Sequence, residues 1–274
     1  MLRHNHITFP FDKSLLYFGG DFKAQSLLKT RRKESGEWTL LKLLYSSNSE
    51  PFDKFTSHAC SAKLDRNRFL VLGGTFISED RSISVLADIF EVDIRSEKVQ
   101  KLGEMNHPRT QHACTMIPGS LSSKEGTKTF SRAILISGGV SETDNAETIV
   151  KVAELFVLDN RKSISLSHEM LEPRFKHHMV QLGEDILALG GQTQSQAGLK
   201  TIEKFNFDVY SNFETMAASG TWTTHRKSLK SNSTSSLAVA ALPKSAVECN
   251  KESCQCGEPR ASRIIGGTVV SSTF

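Results

Sequence analysis

Four times along this chain a short apolar run ends in two consecutive glycines, and this recurrence limits the possible fold more than any other feature. The runs are Leu16-Tyr-Phe-Gly19-Gly20, Leu70-Val-Leu-Gly73-Gly74, Ile134-Leu-Ile-Ser-Gly138-Gly139 and Leu187-Ala-Leu-Gly190-Gly191, with first glycines 54, 65 and 52 residues apart. Glycine accepts positive φ and leaves room where a Cβ would block a neighbouring backbone, so a double glycine after a buried strand marks a close-packed corner. A period of about 50 residues points to a chain assembled from like supersecondary units.

Two further motifs keep step with the glycines. Ala87-Asp-Ile-Phe-Glu-Val-Asp93, Ala153-Glu-Leu-Phe-Val-Leu-Asp159 and Ile202-Glu-Lys-Phe-Asn-Phe-Asp208 share an acid, a Phe two residues later and a final Asp. Met105-Asn-His-Pro-Arg109-Thr-Gln-His112 and Met170-Leu-Glu-Pro-Arg174-Phe-Lys-His177 precede the third and fourth double glycines. A degenerate form ends at His58, where His58-Ala-Cys60 matches His112-Ala-Cys114. The longer middle spacing comes from an inserted loop, Ser120 to Lys128, rich in Ser, Gly, Lys and Thr. Each unit is expected to hold four strands. The first follows the Arg-x-x-His, the second enters the double glycine and the third carries the Phe. The fourth is placed around Val99, Ile164 or Phe213. The first unit is expected to be incomplete.

These residues resemble kelch repeats. The signature positions are the four glycine pairs together with Phe90, Phe156 and Phe205, where Phe stands in place of the family's Tyr, and the family's fourth-strand Trp is retained at Trp38. The resemblance implies an all-β fold, a kelch-like β-propeller of four-stranded antiparallel blades over residues 1–245. Its ring is expected to be incomplete, with about four blades, and Leu237–Leu242 is a candidate first strand of a fifth. An unrelated antiparallel sandwich is the alternative. In such a blade the Phe would wedge between neighbours.

Kelch domains mostly bind proteins, so the resemblance implies a protein-binding module with no catalytic activity of its own and a protein or peptide ligand. The 2–3 loops (75–86, 140–150 and 192–200) and the 4–1 connections would share one face. Arg81, Glu142, Arg109 and Arg174 are the candidate contacts there, with Asp144, Glu147, His107 and Lys176 on the same face. Arg109 and Arg174 also admit a structural role, each guanidinium packing and hydrogen-bonding at an inner blade edge. His112 and His177 are expected to be packing residues at strand starts. No metal site and no cofactor is expected, because the His and Tyr cluster of copper-oxidase relatives is missing.

After Ser228 the composition shifts to Ser, Thr, Lys and Asn, and Asn232-Ser-Thr234 fits a glycosylation acceptor. Cys254-Gln-Cys256-Gly-Glu-Pro-Arg-Ala-Ser-Arg263-Ile264-Ile265-Gly266-Gly267 then resembles the activation junction of trypsin-like serine protease zymogens. By that resemblance cleavage falls between Arg263 and Ile264, Cys256 tethers the pro-segment by a disulfide, residues 246–263 are the pro-segment and 264–274 a protease stub. The rival reading makes Gly266-Gly267 a fifth kelch pair. A serine protease needs nucleophile, base, orienting acid and oxyanion hole. Neither an Ala-Ala-His-Cys nor a Gly-Asp-Ser-Gly-Gly segment is present, so this chain is expected to have no protease activity. A secreted endopeptidase zymogen with the propeller as accessory domain is the alternative for the whole protein.

Composition narrows the partners. Hydrophobic residues at 38% and charged residues at 23% suffice for a sizeable core. The net charge of +4 balances 34 basic against 30 acidic residues. The one basic cluster, Lys29-Thr-Arg-Arg-Lys33, lacks interleaved aromatics and is expected to be a solvated loop, so nucleic acid is not an expected partner. Apolar runs such as Leu237–Leu242 are too short to span a bilayer, and no membrane partner is expected. The N-terminus lacks an apolar signal-peptide core and starts abruptly, as a fragment would. Of five cysteines, Cys60 and Cys114 lie far apart in the body and three crowd the tail. A genuine protease tail implies secretion, whereas a lone kelch module is commonly cytoplasmic.

Overall fold

Strands that are covered on both faces read as unbroken apolar runs, because neither side of the pleat meets water. Phe69-Leu-Val-Leu72 and Ala133-Ile-Leu-Ile136 are runs of this kind, and each lies on an inner strand of its sheet. A computed structural model describes residues 7–11, 14–19, 27–31, 38–78, 80–117, 120–123, 126–129, 132–143, 146–182, 185–195, 198–207, 220–229, 237–238 and 267–268. Every regular element among them is a β-strand, and the fold class is all-β.

Four antiparallel sheets follow one another along the chain. Sheet 1 holds β1 (Ile7–Phe11), β2 (Ser14–Phe18), β3 (Leu27–Arg31) and β4 (Trp38–Leu41). The short β5 (Leu44–Tyr45) joins sheet 2, which continues with β6 (Cys60–Lys63), β7 (Arg68–Ile77), β8 (Ile83–Asp93) and β9 (Lys98–Glu104). Sheet 3 is built from β10 (Ala113–Ile117), β13 (Ala133–Ser137), β16 (Glu154–Val157) and β17 (Lys162–Ser165). Two hairpins interrupt it, β11 (Ser120–Ser123) with β12 (Gly126–Thr129), and β14 (Val140–Thr143) with β15 (Ala146–Ile149). Sheet 4 holds β18 (His178–Leu182), β19 (Asp185–Leu189), β20 (Ile202–Phe207) and β21 (Gly220–Thr224). A separate pair, β22 (Leu237–Ala238) with β23 (Gly267–Thr268), lies beyond them. Among the described residues no strand pairing joins sheet 4 to sheet 1.

The register repeats as closely as the sequence does. The first strand opens opposite the residue just before the double glycine in every sheet: Ile7 with Phe18, Cys60 with Leu72, Ala113 with Ser137 and His178 with Leu189. Several expectations change. Sheet 1 is not incomplete, since Ile7–Phe11 supplies its first strand. Sheet 2 gains a fifth strand, because β5 pairs in parallel with the outer edge of β9. The Ser120–Lys128 insertion is a hairpin. Part of the basic cluster, Lys29–Arg31, lies in β3 rather than in a loop. The fourth strand of sheet 4 is β21, where Trp222 pairs with Phe205. Phe213 lies outside the described residues. Both tryptophans of the chain therefore sit on fourth strands.

Apolar clusters lie between successive sheets, with alternate residues of each second strand facing opposite ways. Phe18 and Leu16 meet Phe69 and Val71 between sheets 1 and 2. Leu70 and Leu72 meet Ile134 and Ile136 between sheets 2 and 3. Ala133 and Leu135 meet Ile186 and Ala188 between sheets 3 and 4. Phe90, Phe156 and Phe205 wedge into these three interfaces in turn. Full burial of a Phe contributes about 2–3 kcal/mol. The first strands β6, β10 and β18 lie side by side along the stack.

Candidate functional site

The double glycines form corners that no other residue fits. Gly73, Gly138 and Gly190 have φ of 57, 59 and 61°, and Gly74, Gly139 and Gly191 have 95, 90 and 95°. A Cβ on the first glycine would collide with a carbonyl of the next unit's 4–1 connection: Thr56 for Gly19, Arg109 for Gly73 and Arg174 for Gly138. A Cβ on the second would meet the unit's own connection, as Gly139 meets Thr110 O at 2.7 Å and the His112 Cβ at 2.6 Å. The amides of Gly74 and Gly139 donate to Arg109 O and Arg174 O, each at 2.9 Å. Gly20 lies outside the described residues.

Bridges after each glycine pair hold the 4–1 connection against the start of the 2–3 loop: Ser57 with Thr75, Thr110 with Val140, Phe175 with Gln192. These bridges put the two sets of loops on one face. They also correct the sequence alignment. Ser57, Thr110 and Phe175 are equivalent, so Thr56 takes the place of Arg109 and Arg174, and Ala59 that of His112 and His177. His58 matches Gln111 and Lys176, and all three have positive φ, at 54, 56 and 52°. They are linked in series, Gln111 N donating to His58 O at 2.9 Å and Lys176 N to Gln111 O at 2.8 Å. The shared His-Ala-Cys triplets are one residue out of structural step.

Arg109 and Arg174 are 0% exposed. Arg109 donates to Gly138 O and Val152 O, both at 3.1 Å, and pairs with Glu154. Arg174 donates to Gly190 O at 2.8 Å and Thr201 O at 3.2 Å, and pairs with Glu203. The same carboxylates cap the incoming connection. Glu154 accepts from the amides of Asn106 (2.6 Å) and His107 (3.1 Å), and Glu203 from those of Leu171 (2.9 Å) and Glu172 (3.0 Å). Both guanidiniums are buried and hydrogen-bonded within the fold, although Arg174 Nε has no partner among the described residues, and this is the placement a structural role at the blade edge requires. Glu154 and Glu203 were visible as the repeated acid, but only the fold shows which cation each one meets.

His112 and His177 are buried beside these arginines. Burial first, then the nearby Arg109, pushes the His112 imidazole down to about 3, and burial with Arg174 pushes His177 down as well. His177 crosses to sheet 3, its Nε2 lying 3.0 Å from Ser137 Oγ. Among the described residues no cluster of His, Cys, Asp and Glu could hold a metal ion. Cys60 and Cys114 form a disulfide with Cα atoms 6.0 Å apart. The one-residue offset explains it. Cys60 opens β6 facing sheet 3, whereas Cys114 is the second residue of β10 and faces sheet 2.

Arg81 and Glu142 are exposed on the loop-bearing face. Arg81 sits at the tip of the long β7–β8 hairpin with φ 67°, and Glu142 lies on β14 opposite Glu147. Lys176 is exposed, its ammonium 5.7 Å from the Phe175 ring. His107 is half exposed, with Nδ1 2.9 Å from Glu154. Asp144, Cys256, Arg263 and Ile264 lie outside the described residues. No protein-family model and no curated protein matches the chain.

Proposed function

We propose that this chain is a kelch-type propeller module that binds a protein or peptide through the face bearing its 2–3 loops and 4–1 connections. One observation carries the reading: the projections at 75–83, 140–149 and 192–198 stand at equivalent corners of successive sheets. Variable loops on a repeating rigid scaffold are where recognition is commonly built. With Arg109 and Arg174 buried, Arg81, Glu142 and Lys176 are among the charged groups of these loops and connections, and mixed charge of this kind sets register and on-rate in protein association. The test is cross-linked capture of partners by the full chain. Arg81→Glu with Glu142→Lys should abolish capture of a given partner, while Arg95→Glu, on a 3–4 turn, should leave it intact. Equal capture by both variants would overturn the reading.

A second reading, a piece of a secreted endopeptidase precursor, is favoured by the Cys254–Gly267 motif. The Cys60–Cys114 disulfide fits the oxidising setting it requires. Trypsin should release a peptide beginning at Ile264, and transcripts crossing residues 240–274 should continue into a protease domain. Transcripts that never cross that junction would sink it.

A further inference from the structure

After the fourth strand of sheets 3 and 4 the chain forms a short arch, clamped by backbone groups around the start of the third strand. In sheet 3, Leu166 N donates to Ala153 O at 2.8 Å and Met170 N to Lys151 O at 3.1 Å. In sheet 4, His225 N donates to Ile202 O and Leu229 N to Lys200 O, both at 2.8 Å. Between the clamps stand Ser167, His168 and Glu169 on one arch and Arg226, Lys227 and Ser228 on the other, all exposed. Because main-chain bonds hold both arches, strand pairing and packing do not dictate these crest side chains. An irregular segment fixed on a rigid scaffold is a common place for recognition.

The two crests differ in chemistry. In sheet 3 the Ser167 hydroxyl lies 2.9 Å from His168 Nδ1, and an acid follows. In sheet 4 the His225 ring accepts from Lys227 N at 3.2 Å across a bend at Arg226. Arg226 and Lys227 pair with no carboxylate among the described residues, and the Ser228 hydroxyl has no hydrogen-bond partner among them. The sequence extends the bias, since 215–247 holds four Lys and Arg and no Asp or Glu. Lys230 follows two residues after the serine, with the apolar Leu229 between them.

We propose that Ser228 is the phosphoacceptor of a basophilic serine/threonine kinase, selected by the cations Arg226 and Lys227 before it and Lys230 after it. The inference stands apart from partner binding at the loop-bearing face. A kinase of this class lines its peptide cleft with carboxylates, which attract cations on both sides of the hydroxyl and repel a crest that carries Glu169. In the transfer, Ser228 Oγ attacks the γ-phosphorus of MgATP. The new O–P bond forms as the bond to the β–γ bridging oxygen breaks, ADP leaves, and the kinase's catalytic Asp takes the hydroxyl proton. Leu229 is only half-buried and one amide bond holds it, so the arch opens locally while β21, which ends at Thr224, stays paired. The phosphate carries a charge of about −1.5 to −2 and offsets Arg226 and Lys227, turning a cationic crest into a nearly neutral one.

The test uses the folded full-length chain, MgATP and the catalytic domain of a protein kinase C-type enzyme, with phosphate mapped by tandem mass spectrometry. Phosphate is expected on Ser228. It should persist in Arg226→Lys, which keeps the charge, and be lost in Arg226→Glu with Lys227→Glu. An unmodified Ser228 would overturn the proposal, including the case in which Ser231 is modified in its place. Modification of a synthetic 221–232 peptide beside an unmodified folded chain would also overturn it, because the arch would then be closed to the cleft. Phosphate on Ser228 that survives the double glutamate change would refute selection by charge. Circular dichroism checks that the double variant keeps its strand content. Should it not fold, the same two changes in the 221–232 peptide decide, and equal rates with and without them would refute the assignment.

Discussion

Sheets 2 and 3 share a register, a double-glycine corner and a bridged connection, yet the cation beneath the corner differs. In sheet 3 the buried Arg109 guanidinium reaches Gly138 O, Val152 O and Glu154. In sheet 2 that position is Thr56, 1% exposed, and the repeated acid Asp88 is met instead by Lys54 at 3.7 Å and Lys101 from the fourth strand. The corner still closes, with Gly73 and Gly74 at φ values within a few degrees of Gly138 and Gly139. The glycines and the strand pairing therefore set the corner. The arginine, once present, adds a charge that the interior must neutralise, and it becomes indispensable only because Glu154 is buried with it.

The largest expected effect comes from separating that pair. Arg109→Ala leaves Glu154 buried without its guanidinium, with only the Asn106 and His107 amides and the His107 ring beside it, and breaking a buried pair costs about 3–5 kcal/mol. A urea titration should show a midpoint drop close to this for Arg109→Ala and Arg174→Ala. If the loss were as small as for Lys54→Ala in sheet 2, the distinction between the two sheets would be false. Next comes the covalent link between them. The Cys60–Cys114 bridge spans a sequence separation of 54, and closing a loop of this size stabilises by about 2–4 kcal/mol. Cys60→Ser with Cys114→Ser, compared with the oxidised protein by denaturation, should show that loss and no change in strand content by circular dichroism.

The order of these interactions was only partly legible in the sequence. The four glycine pairs and the Phe-x-x-Asp runs placed the second and third strands, because both features are local demands of close packing. The first strand of sheet 1 was hidden, since Ile7-Thr-Phe-Pro-Phe11 lacks the arginine motif and is held by pairing with β2 and by Ile7 in the core between sheets 1 and 2. Cys60 and Cys114 looked remote because pairing between adjacent sheets depends on which way each side chain faces, and the matching His-Ala-Cys triplets pointed to the wrong register. Trp222 was missed because residues 208–219 separate it from the motif that marks the third strand. Arg109 and Arg174 were legible as repeated positions, but burial, the fact that removes them from a binding surface, is a property of the stacked sheets.

Histidine offers a smaller and pH-tunable contrast. Sheets 3 and 4 bury His112 and His177 where sheet 2 has Ala59. The folded state holds His112 near 3 against 6.5 in the unfolded chain. Below pH 6.5 the unfolded chain takes up a proton that the folded chain refuses, so stability falls as pH drops from about 6.5 toward about 3. At pH 5 His112 is expected to lower stability by about 2 kcal/mol relative to pH 7.5, and His177 acts in the same direction. His112→Ala and His177→Ala variants, though weaker at pH 7.5, should show a flatter decline in urea midpoint. An unchanged slope would mean that neither ring is kept neutral by its surroundings.

The smallest effect belongs to Thr56, and its sign is what matters. Its hydroxyl is buried and has no hydrogen-bond partner among the described residues. Burying an unpaired hydroxyl carries a desolvation cost, and an apolar group of the same shape avoids it. Thr56→Val should therefore leave the urea midpoint unchanged or raise it by up to about 1 kcal/mol in stability, whereas shortening Arg109 at the equivalent place in sheet 3 is strongly destabilising. Should Thr56→Val prove destabilising by more than that, the hydroxyl would have a polar role beneath the sheet 2 corner. Sheet 2 would then be a second solution to the same electrostatic problem, not the case in which the corner manages without one.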